Sequence, residues 1–512
     1  MIDRLRARMP GLAALALALA FAAVTPPLAA QQPAPTPPRG MSAIKQTDLR
    51  RDLYAIASDA MRGREAGTLD ELRASIWEAD QARKAGLQPA GEDGTYFQWF
   101  KMKRTRLSPS SVIAVGGRTL TLWKDVAASG TVESDVHAPT VFAGDASDTS
   151  IDVRGKVAIA TLVPPPPGTR QFEGVYSPEW HYARAAIAAE GLALTRRGAV
   201  AVILVADSIG DVAFDAVTAV SSRGFYDVDD PATTAAGGRY GSIGRGPPVL
   251  LAHRALLDAL RPNGQNAEVR LMTESFDYPS VNVIAKVRGT DPKLRDEYVM
   301  FSSHTDHDGV RFPMAGDSIW NGADDNGSTT VAILAIGRAF VKQPAKRSAL
   351  FIWHGAEERG LLGSRYHAVH PVVPLHQIVA VLNGDLIGRN NPDTASLLGV
   401  QPPHRNSADL VRMALAANAA TGKFVLDSTW DRPTHPEGWY FRSDHVPYVR
   451  HGVPALMYST NLHPDYHTPR DEPSRIDYAK LTRMTDWMYE TGWLVANAAK
   501  RPAVDPGFKL ER

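Results

Sequence analysis

Four short motifs decide how this sequence reads: S-S-H-T-D-H-D-G at 302–309, N-G-A-D-D-N-G-S at 321–328, H-G-A-E-E-R-G at 354–360 and N-G-D-L-I-G-R at 383–389. Each follows a short apolar run. Each carries carboxylates or a histidine at a place where a strand should end. Working outward, the runs at 281–287, 296–303, 349–353, 378–382 and 455–458 read as strands, and 328–342, 408–421 and 478–499 have helical spacing. Strands alternating with helices predict an α/β fold with a mixed, mainly parallel central sheet flanked by helices. In such sheets ligands bind beyond the carboxyl ends of the strands, where His304, Glu358 and Asp385 would fall.

Upstream, 48–60 and 69–84 have helical spacing, the second ending at Gly86. Residues 96–103 alternate as a strand does. This segment, 45–130, is too short for a good core of its own and is assigned to the same domain as 263–512. Between them, 131–262 changes character. Short β-rich runs at 140–143, 156–162, 199–205 and 248–252 alternate with a proline run at 164–167, a helical stretch at 182–197 and a Gly-rich loop at 237–246. This reads as a small β-rich inserted domain with its own core.

Composition narrows the function. The 512 residues are 44% hydrophobic and 22% charged, ordinary globular material. Fifty-six basic residues balance 55 acidic ones, so nothing points to nucleic acid or a membrane surface. There is no cysteine, which excludes disulfides, thiolate metal sites and cysteine nucleophiles. Arg4, Arg6 and Arg8 precede an apolar run at 11–24 and the small residues Ala29 and Ala30. That is the form of a secretory signal peptide over 1–30, and it predicts export to the periplasm or beyond. The run is roughly fourteen residues, short of the ~20 needed to span a bilayer. Residues 31–44 read as a Pro-rich linker.

The loops supply metal chemistry. Zinc accepts histidine nitrogen and carboxylate oxygen, and two-metal sites commonly share ligands. The chain offers His304, Asp325, Glu358, Asp385 and His467. Glu357 stands beside Glu358, is not needed as a ligand, and is free to take a proton from the attacking water. No G-x-S-x-G elbow and no H-E-x-x-H helix competes with this reading.

The motifs H-x-D, G-A-D-D-N-G-S, E-E-x-G-L-L-G-S, N-x-D-x-I-G-R and Y-H-T-P-x-D occur in order. Together they resemble the M28 family of co-catalytic zinc peptidases, over roughly 280–499 and 48–103. The resemblance implies two Zn2+ ions per chain, with His304 and Asp385 on one, Glu358 and His467 on the other, and Asp325 as bridge. It implies Glu357 as general base, Asp306 orienting the His304 imidazole, Tyr466 as an oxyanion donor, and a cis peptide at Asp325–Asn326. The 131–262 insert resembles a protease-associated (PA) domain, with pieces at 141–144, 153–157 and 198–201. Thr329 and the segment His307-Asp308-Gly309 depart from the usual family pattern. Neither is expected to touch a ligand; both are assigned to the pocket rim.

The function that follows is an exported zinc aminopeptidase acting on peptides. A carboxypeptidase or dipeptidase of the same family would need arginines, such as Arg389, Arg432 and Arg442, to converge on a substrate carboxylate. A single-zinc glutaminyl cyclase or a non-catalytic receptor of this fold should lack some of the ligands. Asp324 competes with Asp325 as the bridge, and the Asn-Gly-Ser frame favours Asp325. His354 and His367 read as packed residues. His445 stays open between a structural and a pocket role.

Overall fold

The computed structural model describes residues 38–167, 177–237 and 241–510. The predicted signal peptide, most of the linker and part of the Gly-rich loop lie outside them. The predicted linker is shorter than expected at its far end. Arg39–Ala43 form a 3-10 turn in which Gly40 is buried, with a Cβ there 2.3 Å from the Tyr489 hydroxyl. The chain therefore docks on the folded body by residue 40.

The main sheet uses strands β1 (Phe97–Leu107), β2 (Phe225–Val228), β3 (Thr273–Val287), β4 (Tyr298–His304), β5 (Ser348–His354), β6 (Ile378–Gly384), β7 (Thr394–Leu398), β8 (Val425–Leu426) and β9 (Ala455–Ser459). Their order is β8-β7-β9-β6-β4-β5-β3-β1-β2, and Gln88–Pro89 adds a short pairing to β3. The central strands β9, β6, β4 and β5 are parallel. From β5 outward through β3, β1 and β2 the pairings are antiparallel, as is β7 with β9. The sheet is mixed around a parallel centre.

The central strands read as continuous apolar runs because both faces are covered. On β4, Val299 and Phe301 join the core under helices α1 (Gln46–Ile56), α2 (Leu69–Lys84), α4 (Thr329–Lys342) and α5 (Tyr478–Asn497). Met300 points into the opposite core with Leu350, Ile352 and Val381. The two-residue period of the strand divides these residues between the faces. Local signals place the helices. The Thr68 hydroxyl caps α2 by accepting from Asp70 N–H, and Gly86 (φ 86°) follows its end. In α1, Leu49, Leu53 and Ile56 form the buried stripe.

A second sheet runs Arg118–Thr119, Val112–Val115, Asn266–Leu271, Ser134–Phe142, Val157–Thr161, Ala201–Val205, Val249–Ala252, Val126–Ala128. It has a core on each face. Ala158, Val202 and Leu204 pack on one side with helix α3 (Pro178–Arg196), and Val157, Ile159 and Ile203 on the other. This sheet spans Val112 to Leu271, wider than the predicted 131–262. The missed opening hairpin turns at Gly116-Gly117 (φ 60° and 83°), a two-residue glycine turn of the kind that suits hairpins. The segment also leaves its own sheet once, when β2 pairs with β1 on the main sheet. Gly224, just before β2, has φ 70°, and a Cβ there would lie 2.0 Å from the Thr105 carbonyl oxygen. Only glycine admits that approach.

Candidate metal centre

Parallel strands end at one edge, and the chemistry collects there. His304 is the last residue of β4, Asp385 the first after β6, and Glu357 and Glu358 follow β5 by a tight turn. That turn runs through Ala356 (φ 55°), a left-handed residue without glycine's freedom. Asp325 sits in the loop entering α4, and His467 (φ 50°) lies beyond β9. All five predicted ligands are buried or nearly so, and they meet.

The His304 Nε2 lies 3.3 Å from Asp325 Oδ1, 3.7 Å from Asp385 Oδ1 and 3.8 Å from Glu357 Oε2. The His467 Nε2 lies 3.0 Å from Asp325 Oδ2 and 3.1 Å from Glu358 Oε1. Asp325 thus turns one oxygen to each histidine. His304 Nε2 is buried and makes no directed hydrogen bond to the described residues, although carboxylate oxygens surround it. Nitrogen and carboxylate donors converging on a buried gap fit zinc.

The surroundings fix this arrangement. Asp471 accepts from the backbone N–H groups of Asp324 and Asp325 at 3.0 Å, and Asn326 donates to the Gly384 carbonyl at 2.9 Å. The Asp325–Asn326 peptide is cis. Asp324 points away, accepting from Gly388 N–H at 2.7 Å. Arg64, fully buried, donates to the carbonyls of Ile56, Thr305, Asn321 and Gly322 and ties the ligand-bearing loops to the N-terminal segment. The Gly63-Arg64 pair is visible in the sequence only as a turn, and nothing there signals this role.

Asp306 acts differently from expectation. Its carboxylate accepts from the N–H groups of Glu357 at 2.8 Å and Glu358 at 3.2 Å. Its nearest carboxylate oxygen is 4.0 Å from His304 Nδ1, which instead meets the Asp306 main-chain carbonyl at 3.0 Å. The carboxylate is committed to two backbone donors, so the orienting contact falls to the peptide oxygen.

His307 and Asp308 also correct the sequence reading. They are buried inside the centre, not on its rim. The His307 Nδ1 is 3.0 Å from Glu358 Oε1 and 3.6 Å from Asp325 Oδ2. Asp308 Oδ2 is 3.0 Å from His467 Nδ1, and the same carboxylate meets Arg223 at 3.1 Å and also Arg311. The only sequence signal was the extra charge of H-D-G after H-T-D.

Charges sort the carboxyls. Burial pushes Glu357 well above the ordinary range; His304 opposes this, while Glu358, Asp444 and Asp385 add to it. Burial would raise Glu358 too, but His467 and the His307 hydrogen bond hold it down at about 2. Asp325 is held well below its usual range against burial by the histidines on either side. Of the two adjacent glutamates, Glu357 is therefore the one that favours a proton.

A cavity of about 460 Å³ opens over Glu357, Glu358 and His467. Tyr466, Arg442 and Phe441 line it, together with Gly224 and with Phe225 at the start of β2. The Tyr466 hydroxyl accepts from Arg442 Nη2 at 3.1 Å, and burial keeps it protonated. Of the three arginines that a carboxylate-reading pocket called for, Arg442 lines this cavity; Arg389 is paired with Asp465 at 2.7 Å and Arg432 is exposed. His445 is buried against Tyr440 (ring centroids 4.8 Å apart), and burial lowers it to about 3, which leaves it neutral. His354 and His367 are buried, both lowered by burial, and face Tyr448.

Among known proteins, residues 282–492 match Peptidase family M28. A "Probable leucine aminopeptidase" of Arthroderma otae is 28% identical over 226 residues, covering 42% of this chain. A "Leucine aminopeptidase 2" of the same organism is 29% identical over 178 residues, 34% of this chain. The chain spans 56% and 32% of the length of these two curated relatives. Two solved structures share the fold. One is an aminopeptidase from Aneurinibacillus sp. strain AM-1, at TM-score 0.54 and 18% identity, covering 91% of this chain and 97% of that one. The other is BSAP, a zinc aminopeptidase from Bacillus subtilis, at TM-score 0.54 and 19% identity, covering 91% and 99%. No helix among the described residues is long and apolar enough to cross a membrane. Strand ends and converging donors coincide on the segment, residues 282–492, that matches Peptidase family M28.

Proposed function

We propose that this protein is an exported zinc aminopeptidase that removes N-terminal residues from peptides. One observation carries the reading: two histidines and three carboxylates converge at one sheet edge, with Glu357 Oε2 beside them, 3.8 Å from His304 Nε2. His304 and Asp385 would hold one Zn2+, Glu358 and His467 the other, with Asp325 shared. Bound zinc supplies Lewis acidity, polarising the scissile carbonyl and acidifying water.

The chain's own groups do the rest. Glu357 accepts the proton of the attacking water and returns it to the leaving amine. Tyr466, oriented by Arg442, donates to the oxygen that gains charge. The carboxylates around the centre suit a free substrate α-amine. The arginines near the mouth argue the same way. Arg223 pairs with Glu65 and Asp308, Arg311 with Asp308 and Arg442 with Glu437, while Arg359 stands 3.8 Å from Glu65 and 3.9 Å from Asp308, so each arginine lining the cavity already faces a carboxylate of the chain. The leucine aminopeptidase names of the curated relatives favour this side of the amino- versus carboxypeptidase choice. Export rests on residues 1–30, and the stretch Val220 to Tyr226, within the insert read as PA-like, would act as one wall of the cavity.

A panel of peptides with free and with blocked N-termini tests the reading. We expect hydrolysis of the free series and none of the blocked series. Cleavage that survives blocking, and is lost when the C-terminus is amidated, would establish the carboxypeptidase alternative instead.

A further inference from the structure

The two halves of the centre are not equally supplied with donors. Around His304 stand Asp385 and one oxygen of Asp325, with Glu357 reserved for proton transfer. Around His467 stand Glu358, the other oxygen of Asp325, and a side chain that the five-ligand set does not use. That side chain is His307. One ligand atom from each of His307, Asp325, Glu358 and His467 lies within 4.8 Å of the other three. Four of the donor–donor edges are 3.0 Å (His307 Nδ1–Glu358 Oε1), 3.6 Å (His307 Nδ1–Asp325 Oδ2), 3.0 Å (His467 Nε2–Asp325 Oδ2) and 3.1 Å (His467 Nε2–Glu358 Oε1). Zinc with four ligands at about 2.0–2.2 Å needs donor–donor edges of about 3.3–3.6 Å.

The ring is held in that position. His307 is fully buried, and its ring meets that of His467 edge-on with centroids 5.1 Å apart. Behind it stands Gly322 (φ 58°), where a Cβ would lie 2.4 Å from His307 Cγ and 2.5 Å from Cδ2. The backbone at 322 is therefore pressed against the imidazole, and Nδ1 cannot turn away from the two carboxylates without moving it. A simple hydrogen bond to Glu358 would need only one acceptor, whereas this nitrogen faces the gap shared by both carboxylates and His467.

We propose that His307 is a metal ligand through Nδ1, giving the ion at His467 and Glu358 four protein donors, while the ion at His304 and Asp385 keeps three and an open position. This rests on the two-zinc reading above. Four protein donors are the mark of a closed site and three of an open one. The His467 side is then the tightly held ion, and the open position falls on the His304 side, where Glu357 stands 3.8 Å away.

The direct test counts imidazoles in the wild-type chain loaded with two equivalents of Co2+. Each cobalt-bound histidine gives one exchangeable N–H proton resonance shifted far outside the normal range. We expect signals from His304, His307 and His467, with H307N removing one of them. Signals from His304 and His467 alone would overturn the proposal. Competition with a chelator adds a second reading. H307A should weaken one of the two metals by at least about 100-fold, more than loss of a neighbouring supporting group usually does, and leave the other unchanged. If H307N, whose amide can still donate to Glu358, keeps wild-type affinity, His307 is a positioning residue and the proposal fails. A chain that takes up no metal at either position would instead sink the two-zinc reading itself, so the two failures are distinguishable.

Discussion

The two halves of the metal centre rest on different kinds of support. The His304 half is held by the main chain. His304 ends a central strand, its Nδ1 meets a peptide carbonyl, and Asp385 N–H donates to the Tyr458 carbonyl at 3.0 Å. The His467 half is held by charge. Asp308 fixes His467, and that carboxylate is shared with Arg223 and Arg311 and lies 3.9 Å from Arg359. Glu65 from the N-terminal segment joins through Arg223 and Arg359. Arg223 comes from the second-sheet segment, so three distant parts of the chain steady one imidazole. The rigid half follows from strand register; the other depends on a buried ion network, in which removing one partner leaves an uncompensated charge. A change in the second-sheet segment can therefore reach the His467 half and spare the His304 half.

Substitutions should act on the two halves differently. The largest effect is expected from Glu357→Gln, which touches neither half's ligands. kcat should fall by on the order of 10²–10⁴ while zinc content stays that of the wild type; normal turnover would remove Glu357 from the base role. Tyr466→Phe should lower kcat by about 10²–10³, the usual cost of losing an oxyanion donor, with little change in metal content. Asp308→Asn separates the halves most cleanly. Chelator competition should show one metal weakened by about 10–100-fold and the other unaffected. Equal weakening of both metals would mean that the halves share their support. Arg223→Ala should act in the same direction with a smaller effect, below about tenfold, because Arg311 remains on Asp308.

The smallest effect concerns pH. Glu78, buried behind the centre and accepting from Thr305, is raised from 4.5 to about 8 by burial. A carboxyl raised in the folded state contributes stability in full below its unfolded value near 4.5 and loses it as pH climbs through about 8. Glu78→Gln removes that dependence. The Tm of the variant relative to the wild type should therefore rise between pH 5 and 8 in metal-free protein, by a few degrees. A flat difference would show that Glu78 titrates normally.

The His304 half was legible in the sequence for the same reason that it is rigid. Apolar runs ending in His304 and Asp385 announce both strands and ligands, and both faces of β4 and β6 are covered, which makes the runs continuous. The His467 half was legible only in its ligands. Asp308, Arg223 and Arg64 act through contacts across long stretches of chain, and an isolated charged residue carries no mark of its distant partner. Three residues past His304, His307 carries no mark in its spacing of the side of the chain that faces the centre. The second sheet was located but mis-bounded. Its short strands at Val112–Val115 and Val126–Ala128 carry little periodicity, and Asn266–Leu271 runs on into β3 with Met272 as the only break. The family resemblance implies the Asp306 carboxylate as the partner of His304, and the backbone donors of the Glu357-Glu358 turn take it instead.

The most direct test of the account is the metal content of the purified full chain, measured by elemental analysis after exhaustive dialysis against buffer containing trace zinc. The wild-type chain should hold about two zinc ions, falling to about one in Asp308→Asn dialysed under the same limiting zinc. A wild-type chain that holds a single zinc, with no second binding event on titration, would contradict it.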